Sequence, residues 1–202
     1  MLLDLESLLI KHDLKINGVI HIGAHYGEEN RIYEKLKLQN RMFFEPLKKN
    51  FEVLKSNISN FPIFNLALGN ETGQIKMFTE SRNNGQSSSI LKPKIHLNQY
   101  PHIVFDGEEV VEIIKLDDFD YDKEKFNFIN IDVQGYELEV FKGAKKVLES
   151  IDYILSEVNN AEVYENCVNV SELDVFLSKF GFERVETNWE GGTWGDAFYI
   201  KR

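Results

Sequence analysis

Short apolar runs alternate with segments of helical periodicity along most of the chain, and this alternation restricts the fold more than any other feature. The apolar runs predict strands over residues 19–22, 41–45, 61–68, 126–133 and 151–158. The periodic segments predict helices over residues 28–38, 46–57, 137–148 and 171–180. Such alternation is typical of a parallel sheet with helices on both faces. Two closing strands, over 182–187 and 197–201, predict an antiparallel hairpin, so we expect an α/β fold with a mostly parallel seven-stranded sheet.

We predict a single domain over residues 1–202, with an amphipathic helix over residues 2–12 that covers one edge of the core. A long stretch, residues 73–116, separates the third and fourth strands of the predicted sheet. It contains an extended segment (74–79), a polar loop that we expect to be mobile (81–89) and a β-rich segment (109–116). Ligands bind outside the carboxyl ends of the strands in open α/β sheets, so we expect this inserted region to lie on the substrate side.

The charge balance argues against nucleic-acid partners. The chain has 33 acidic and 23 basic side chains and a formal charge of −10, and it has no basic stripe that would neutralise a phosphate backbone. An anionic membrane surface is disfavoured for the same reason. The single cysteine, Cys167, cannot form an intrachain disulfide, and neither a signal-peptide pattern nor a membrane-spanning apolar run is present. We therefore expect a cytoplasmic protein without membrane insertion, whose oligomeric state the sequence does not fix.

The first candidate binding motif is the apolar strand at residues 19–22, which runs into a turn containing Gly23 and Gly27 and then into a helix. Glycine lets the backbone approach a ligand closely, and a helix N-terminus offers free N–H groups. Glu45 follows at the end of the next predicted strand, 22 residues after Gly23. An acid at about this distance can accept hydrogen bonds from the two hydroxyls of a ribose, so a nucleoside-containing cofactor is expected.

The spacing of the glycines bears on which cofactor binds. A nicotinamide dinucleotide needs Gly-x-Gly-x-x-Gly to hold its pyrophosphate, whereas this chain has Gly23-x-x-x-Gly27 with His25 between the two. S-adenosylmethionine has no pyrophosphate, so it is favoured. The nicotinamide cofactor remains the alternative at this point.

A third motif, residues 130–137, ends a strongly apolar strand with Asp132 and turns through Gly135 into a helix. Asp132 would project at the carboxyl end of the sheet. There it could bind a metal, orient an acceptor hydroxyl or hold the amino group of the cofactor. The alternative interpretation is an N-terminal cap of the following helix.

With these features the chain resembles the FkbM family of methyltransferases from about residue 19 to residue 199. The resemblance is carried, in order, by the motifs at residues 19–27, 44–46, 65–69, 87–91, 115–119 and 131–137. It implies a Rossmann-like class I methyltransferase fold, S-adenosylmethionine as the donor with S-adenosylhomocysteine as the product, and methylation of oxygen. Acceptors across the family include sugars, glycans and polyketide products.

The resemblance also implies roles for particular residues. Gly23 and Ala24 would line the methionine end of the donor, and Glu45 would hold its ribose. The segment 65–68, with Asn65 and Ala67, would border the adenine. Asp132 would lie at the reaction centre and contact the cofactor.

Three positions depart from the pattern of the family. His21, a cofactor-binding candidate, stands where many relatives have Asp, and His25 stands where many have Asn. Gln134 replaces the usual Glu and removes a charge beside Asp132. This third departure weakens a metal or acid–base role at Asp132.

Methyl transfer to an alcohol needs a group that takes the hydroxyl proton. The candidate bases are His25, His102, Asp132 and Glu157, and we predict Asp132, His25 and Glu157 as the catalytic set. Glu157 ends the fifth predicted strand, so its carboxylate and that of Asp132 would meet at one sheet edge. Oxygen ligands of that kind suit Mg²⁺ or Ca²⁺, so a divalent metal held by Asp132 and Glu157 is a further hypothesis.

Several aromatic residues fall in loops or late segments and would suit a carbohydrate acceptor by stacking on sugar rings: Tyr100, Phe105, Tyr164, Trp189 and Trp194. Packing in the core is the default interpretation of such residues. The sequence thus predicts S-adenosylmethionine-dependent O-methylation of a sugar or glycan hydroxyl. The alternatives are a nicotinamide-dependent oxidoreductase and a non-catalytic Rossmann-like binding module.

Overall fold

A seven-stranded sheet forms the centre of the computed structural model, which describes residues 2–202. In chain order the elements are α1 (Leu5–His12), β1 (Gly18–Ile22), α2 (Asn30–Lys35), β2 (Asn40–Phe44), α3 (Lys48–Asn57), β3 (Ile63–Phe64), β4 (Ala67–Leu68), β5 (Gly73–Glu80), α4 (His96–Gln99), β6 (Phe105–Ile114), β7 (Phe128–Ile131), α5 (Glu137–Lys142), α6 (Lys145–Leu148), β8 (Tyr153–Asn159), α7 (Val170–Ser178), β9 (Phe182–Glu190) and β10 (Trp194–Lys201). Two short 3-10 turns lie at Leu116–Asp118 and Lys123–Lys125.

The order of strands in the large sheet is β3-β2-β1-β7-β8-β10-β9. The first five strands are parallel, and β10 pairs antiparallel with both β8 and β9. The predicted α/β fold with a mostly parallel seven-stranded sheet and a C-terminal hairpin is therefore confirmed. Because parallel strands end at the same edge, the residues that follow β1, β2 and β7 meet the end of β8 there.

The predicted third strand, residues 61–68, is wrong as one element. Ile63–Phe64 pairs with β2 in the large sheet, whereas Ala67–Leu68 pairs with β6 in a separate three-stranded sheet of order β4-β6-β5. Asn65 lies at the break, and its side-chain amide donates to the backbone oxygens of Glu45 (2.9 Å) and Pro46 (2.8 Å). This side chain fixes the chain where it leaves the sheet.

The inserted region forms most of the small sheet, since β5 and β6 are antiparallel partners over almost their whole length. Strand β6 begins at Phe105, four residues before the predicted start. The prediction of a mobile polar loop over 81–89 is wrong for Ser87, Ser88 and Ser89, which are buried. Ser89 pairs with Phe78, and its hydroxyl donates to the backbone oxygen of Gln134 at 2.7 Å. The insertion is thus joined to the turn after β7.

The predicted helix over 137–148 is divided into α5 and α6. Gly143 lies at the break and packs against Gly69, so closely that a Cβ at position 143 would lie 1.9 Å from the Gly69 carbonyl oxygen. The contact joins this break to the end of β4. The predicted N-terminal helix is present as α1, with Leu5 and Leu8 buried. Among residues 2–202, no helix has the length and apolar character that a membrane span requires.

Candidate active site

A cavity of about 720 Å³ lies at the carboxyl edge of the large sheet and is covered by the inserted region. Its floor comes from the ends of the parallel strands and the turns after them. Its roof includes Met77, Asn83, Gly85, Ser88, His96 and Tyr100 from the insertion. The volume falls in the range of natural cofactor and substrate sites. The expectation that the insertion lies on the ligand side of the sheet agrees with this position.

The turn after β1 is tied to both neighbouring strands. The N–H groups of Gly23 and Ala24 donate to the Phe44 carbonyl oxygen, each at 3.0 Å. Gly23 has a φ of +76°, and a Cβ there would lie 1.8 Å from the backbone oxygen of Asp132. Only glycine fits between the two strand ends, so this residue sets the distance between the turns after β1 and β7.

Glu45 follows β2, is only 4% exposed and lines the cavity. Its Oε2 accepts the N–H of His25, and its Oε1 accepts the N–H of Leu47, both at 2.9 Å. Burial raises the pKa of this carboxyl to about 8, and these two N–H groups only partly oppose the effect. A carboxylate oxygen can accept more than one hydrogen bond, so each oxygen keeps acceptor capacity for a ligand hydroxyl.

His25 lies beside Glu45, in a left-handed conformation with φ +47°. Its Nδ1 lies 2.8 Å from Glu28 Oε1, and its Nε2 lies 3.0 Å from the backbone oxygen of Asn84. The ring stacks on Tyr26 with centroids 3.9 Å apart. Since both ring nitrogens face oxygen acceptors, neither presents a lone pair to a substrate hydroxyl. The arrangement disfavours the predicted role of His25 as a base.

His21 lines the inner end of the cavity and is buried among polar groups. Its Nδ1 lies 3.4 Å from the Tyr33 hydroxyl, and its Nε2 lies 3.4 Å from the Asn130 amide nitrogen. That amide donates to the Tyr33 hydroxyl at 2.6 Å. Burial lowers the pKa of His21, with Glu29 opposing the shift, so His21 is a neutral group at this depth.

Two acidic side chains meet where β7 and β8 end. The amide nitrogen of Gln134 donates to Asp132 Oδ1 (2.7 Å) and to Glu157 Oε2 (2.6 Å). The Gln134 amide oxygen accepts the Tyr164 hydroxyl at 2.7 Å. Burial and the charge of Asp132 raise the pKa of Glu157 well above its usual range, which favours the protonated form of Glu157. Asp132 is exposed and faces the cavity.

Glu137 belongs to the same motif, but its part in the turn was missed in the sequence. It is 1% exposed, and its Oε1 accepts the N–H groups of Val133 and Gly135, both at 3.1 Å. Burial raises its pKa to about 7. Glu137 therefore holds the backbone that carries Asp132 and Gln134. An acid two residues after Gly135 was the available signal.

Two predicted cofactor-binding residues do not line the cavity. Ala24 is buried in the core beneath it, and the Asn65 amide is used by the backbone oxygens after β2. Ala67 does line the cavity, together with its neighbours Leu66 and Leu68. The sequence motif at 65–68 therefore supplies apolar surface, and its polar member is structural.

The hypothesis of a divalent metal has no support in the donor set. Across residues 2–202, no group of three or more His, Cys, Asp or Glu side chains is arranged to hold a metal ion. The Gln134 amide nitrogen lies between Asp132 and Glu157 and donates to both. A hydrogen-bond donor in that place occupies the oxygens that a cation would need, so the pair does not fit a metal.

At the β8–β10 side, the cavity has an aromatic wall. Trp194 begins β10, and its indole N–H donates to the Tyr100 hydroxyl at 2.8 Å. The Gln99 amide donates to the Thr193 hydroxyl at 2.7 Å beside it. Among the other predicted aromatics, Tyr164 and Phe105 pack around His96, and Trp189 packs against the core, so Tyr100 and Trp194 are the two in the cavity wall.

Acidic side chains dominate the charge of the cavity. Glu28, Glu29, Glu45, Asp132, Glu157 and Asp196 contribute to its lining. Among the described residues that line it, none is Lys or Arg. This lining favours cationic or neutral ligands over anions, because its described residues offer an anion no Lys or Arg.

A Rossmann-like sheet with an acid after β2 and an acidic centre after β7 is typical of methyltransferases that use S-adenosylmethionine. Comparison with known proteins identifies the group within that class. Residues 21–184 match the model of the methyltransferase FkbM domain. The chain belongs to the FkbM methyltransferase family, and it is a methyltransferase.

A relative agrees with this assignment, and solved structures share the fold. The chain is 32% identical over 171 residues to the 2-O-methyltransferase NoeI of Sinorhizobium fredii, covering 79% of this chain and 69% of that protein. Its fold is similar to magnesium protoporphyrin IX methyltransferase (ChlM) from Synechocystis with bound S-adenosylmethionine, with a TM-score of 0.54, 7% identity and coverage of 98% and 76%. A Listeria monocytogenes protein gives a TM-score of 0.57 at 9% identity, with 98% of each chain covered.

Proposed function

We propose that this methyltransferase transfers the methyl group of S-adenosylmethionine to a hydroxyl of a sugar or glycan. The observation that carries the proposal is the pair Asp132 and Glu157, joined by Gln134, at one end of a cavity whose other end holds the buried carboxyl of Glu45. The pair Asp132 and Glu157 is the centre that accepts the proton, and Glu45 accepts hydrogen bonds from the ribose hydroxyls.

The dimensions of the sheet agree with a donor that lies along its edge. Glu45 follows β2 and Glu157 lies in β8, and β1 and β7 separate these strands. Neighbouring strands lie about 4.8 Å apart, so the two acids are separated by roughly 14 Å along the edge. An extended nucleoside with an amino-acid tail can bridge that distance, with its ribose at Glu45 and its reactive end near Asp132.

The chemistry of the cavity fits this donor in two further respects. S-adenosylmethionine has a net positive charge, and the cavity lining is acidic. The segment 66–68 adds an apolar wall beside Glu45, which suits an adenine ring. Because Ala24 and Asn65 do not line the cavity, neither is included in the proposed binding set. The proposed binding set for the donor therefore consists of His21, Gly23, Glu45, Ala67 and Asp132.

When bound, the donor supplies a methyl group on a positively charged sulfur, and its carbon–sulfur bond breaks as the oxygen–carbon bond forms. The protein must hold the acceptor hydroxyl in line with that bond and accept its proton. Asp132 accepts the proton, because it faces the cavity and the raised pKa of Glu157 favours the protonated form of that neighbour. The shared Gln134 amide keeps the two carboxyl groups in fixed positions, and Glu157 can donate to a second oxygen of the acceptor.

A hydroxyl acceptor is supported by the relative NoeI, which is a 2-O-methyltransferase. The sugar is supported by the wall of Trp194 and Tyr100, since aromatic faces stack on the apolar faces of sugar rings. The hydrogen bond between these two side chains holds the indole in one orientation.

Calorimetric titration tests the donor half of the proposal. Wild-type protein should bind S-adenosylmethionine and S-adenosylhomocysteine, and Glu45→Ala should bind both more weakly. NAD should not bind, because the turn at 23–27 has no glycine run for a pyrophosphate. Binding of NAD in place of both sulfur ligands would refute the proposal and favour an oxidoreductase.

A further inference from the structure

The wall of the cavity next to the carboxyl pair lies where an acceptor must bind. Trp194 and Asp196 are two residues apart on β10 and so lie on the same face, and Asp196 is the direct partner of Glu157 in the antiparallel ladder. Tyr100 and His102 reach the same wall from the insertion. We call this surface, which consists of Trp194, Tyr100, His102 and Asp196, the acceptor wall.

The acidic side chains at the acceptor wall have no lysine or arginine beside them in the described lining of the cavity. Asp196 lies beside Glu157, and Asp132 faces the same space. The lysine closest in sequence to the wall, Lys94, forms an ion pair with Glu162, and Lys92 pairs with Glu165 at 3.6 Å. Neither lysine lines the cavity. Arg82 is exposed, and its neighbours Asn83 and Asn84 lie toward His25, at the opposite end.

Enzymes that bind phosphorylated sugars present Arg, Lys, a metal or a cradle of backbone N–H groups to the phosphate. The described lining offers no Arg or Lys, and no cluster of metal ligands occurs among residues 2–202. A phosphate at the acceptor wall would therefore lie near the acidic side chains Asp132 and Asp196, and the described lining would give it no Lys or Arg as a counter-charge. Its negative charge would be repelled, and its desolvation would be uncompensated.

We propose that the acceptor is a sugar unit without phosphate or carboxylate, bound against the acceptor wall as a glycoside and not as a sugar phosphate or nucleoside diphosphate sugar. This inference rests on the proposed function and narrows its substrate class. The sugar ring stacks on Trp194, and its hydroxyls donate to Asp132 and to Oδ1 of Asp196, whose Oδ2 accepts the N–H groups of Leu2 and Leu3. A neutral ring with several hydroxyls satisfies acidic groups without adding charge.

The proposal also places the enzyme in a reaction sequence. An activated sugar loses its phosphate in glycosyl transfer, when the bond from its anomeric carbon to the phosphate oxygen breaks and a bond to an acceptor oxygen forms. The nucleoside diphosphate leaves in that step. Methylation by this enzyme therefore follows glycosyl transfer, and its substrate is the product of that class of reaction.

The test compares matched acceptors with methyl-labelled S-adenosylmethionine. A panel of common neutral monosaccharides is used, each as its methyl glycoside, its 1-phosphate and its nucleoside diphosphate derivative. For the sugar that is methylated best, we expect kcat/KM for the glycoside to exceed that of either phosphorylated form by about 100-fold. The difference should shrink at high ionic strength, because salt screens the repulsion.

Two variants of His102 distinguish the effect of an added charge from the effect of a changed side-chain shape. His102→Lys adds a cation to the acceptor wall and should raise kcat/KM for the phosphorylated forms by about tenfold, and His102→Gln should not. Equal or faster methylation of a phosphorylated form by the wild-type protein would overturn the inference, and so would an unchanged selectivity in His102→Lys. If S-adenosylhomocysteine binds but no member of the panel is methylated, the sugar acceptor of the proposed function is itself refuted.

Discussion

Replacing Glu45 with Gln gives the most informative test of the donor site, because the change removes a charge and keeps the shape. In the wild-type protein, each oxygen of Glu45 accepts one backbone N–H, from Leu47 or His25, at 2.9 Å. The remaining acceptor capacity faces the cavity. Glutamine retains one oxygen, and its amide group must face one of these N–H donors.

The expected loss follows from these contacts. A hydrogen bond to a charged group contributes about 1.5–3 kcal/mol, so at a pH above about 8, where Glu45 is ionised, losing the charge and one acceptor should weaken donor binding by about 2–3 kcal/mol. That energy corresponds to a Kd for S-adenosylhomocysteine that is about 30- to 150-fold higher. Isothermal titration calorimetry measures it directly. Glu109→Gln is the matched control, because Glu109 lies near Glu45 but outside the cavity, and it should change the Kd by less than about twofold.

The pH dependence provides a second readout. Burial raises the pKa of Glu45 to about 8, and ribose hydroxyls bind the ionised form better. Wild-type affinity should therefore rise as the pH passes upward through about 8. Glu45→Gln should lack this rise, and it also controls for titration of the ligand. Equal affinities of the two proteins across this range would refute the placement of the ribose at Glu45.

Three further predictions concern the reaction centre and stability. Asp132→Asn should lower kcat by about 10²- to 10⁴-fold in a methyl-transfer assay. The Kd for S-adenosylhomocysteine should rise by much less, because Asn keeps an oxygen for the contact with the donor, and a loss of binding equal to the loss of rate would contradict the role of Asp132 as base. Gly23→Ala should lower the free energy of unfolding by more than about 3 kcal/mol in urea, whereas Gly192→Ala should cost about 1–2 kcal/mol, because Gly192 has a similar φ of +79° in open space. The raised pKa values of Glu45 (about 8) and Glu137 (about 7) imply that stability falls as the pH rises from about 5 to about 9, since the unfolded chain loses these protons first. Glu137→Gln should flatten the dependence of Tm on pH between about 5 and about 7, and an unchanged slope would show that Glu137 does not contribute.

Much of the fold was predictable because the spacing of apolar residues along the chain indicates which residues are buried. Strands β1, β2 and β7 are short, mostly apolar and buried, and strands that alternate with helices predict a mostly parallel sheet. The exceptions depend on tertiary contacts. Asn65 ends a strand through its contact with Glu45, and Gly143 ends a helix through its contact with Gly69. Both partners lie far away in the sequence, so the residues next to Asn65 and Gly143 do not indicate these contacts. These two breaks were therefore missed.

The same distinction holds for the candidate site. Glu45 and Asp132 were predicted because strand-end acids have a recognisable position. The amide of Gln134 was interpreted only as a lost charge, yet it joins Asp132 to Glu157 across two strands. Ring nitrogens of His25 are occupied by Glu28 and by the Asn84 backbone, a contact across 59 residues that the sequence does not show.

The position of the transferred methyl group in the product tests directly whether the enzyme methylates a hydroxyl oxygen of a sugar. The protein is incubated with ¹³C-methyl S-adenosylmethionine and the neutral glycoside that reacts best, and the product is examined by two-dimensional NMR. We expect a methyl signal that is coupled through one oxygen to a ring carbon of the sugar, and a far weaker signal from Asp132→Asn after the same incubation. A methyl group on nitrogen, on carbon or on a carboxyl group would contradict this expectation.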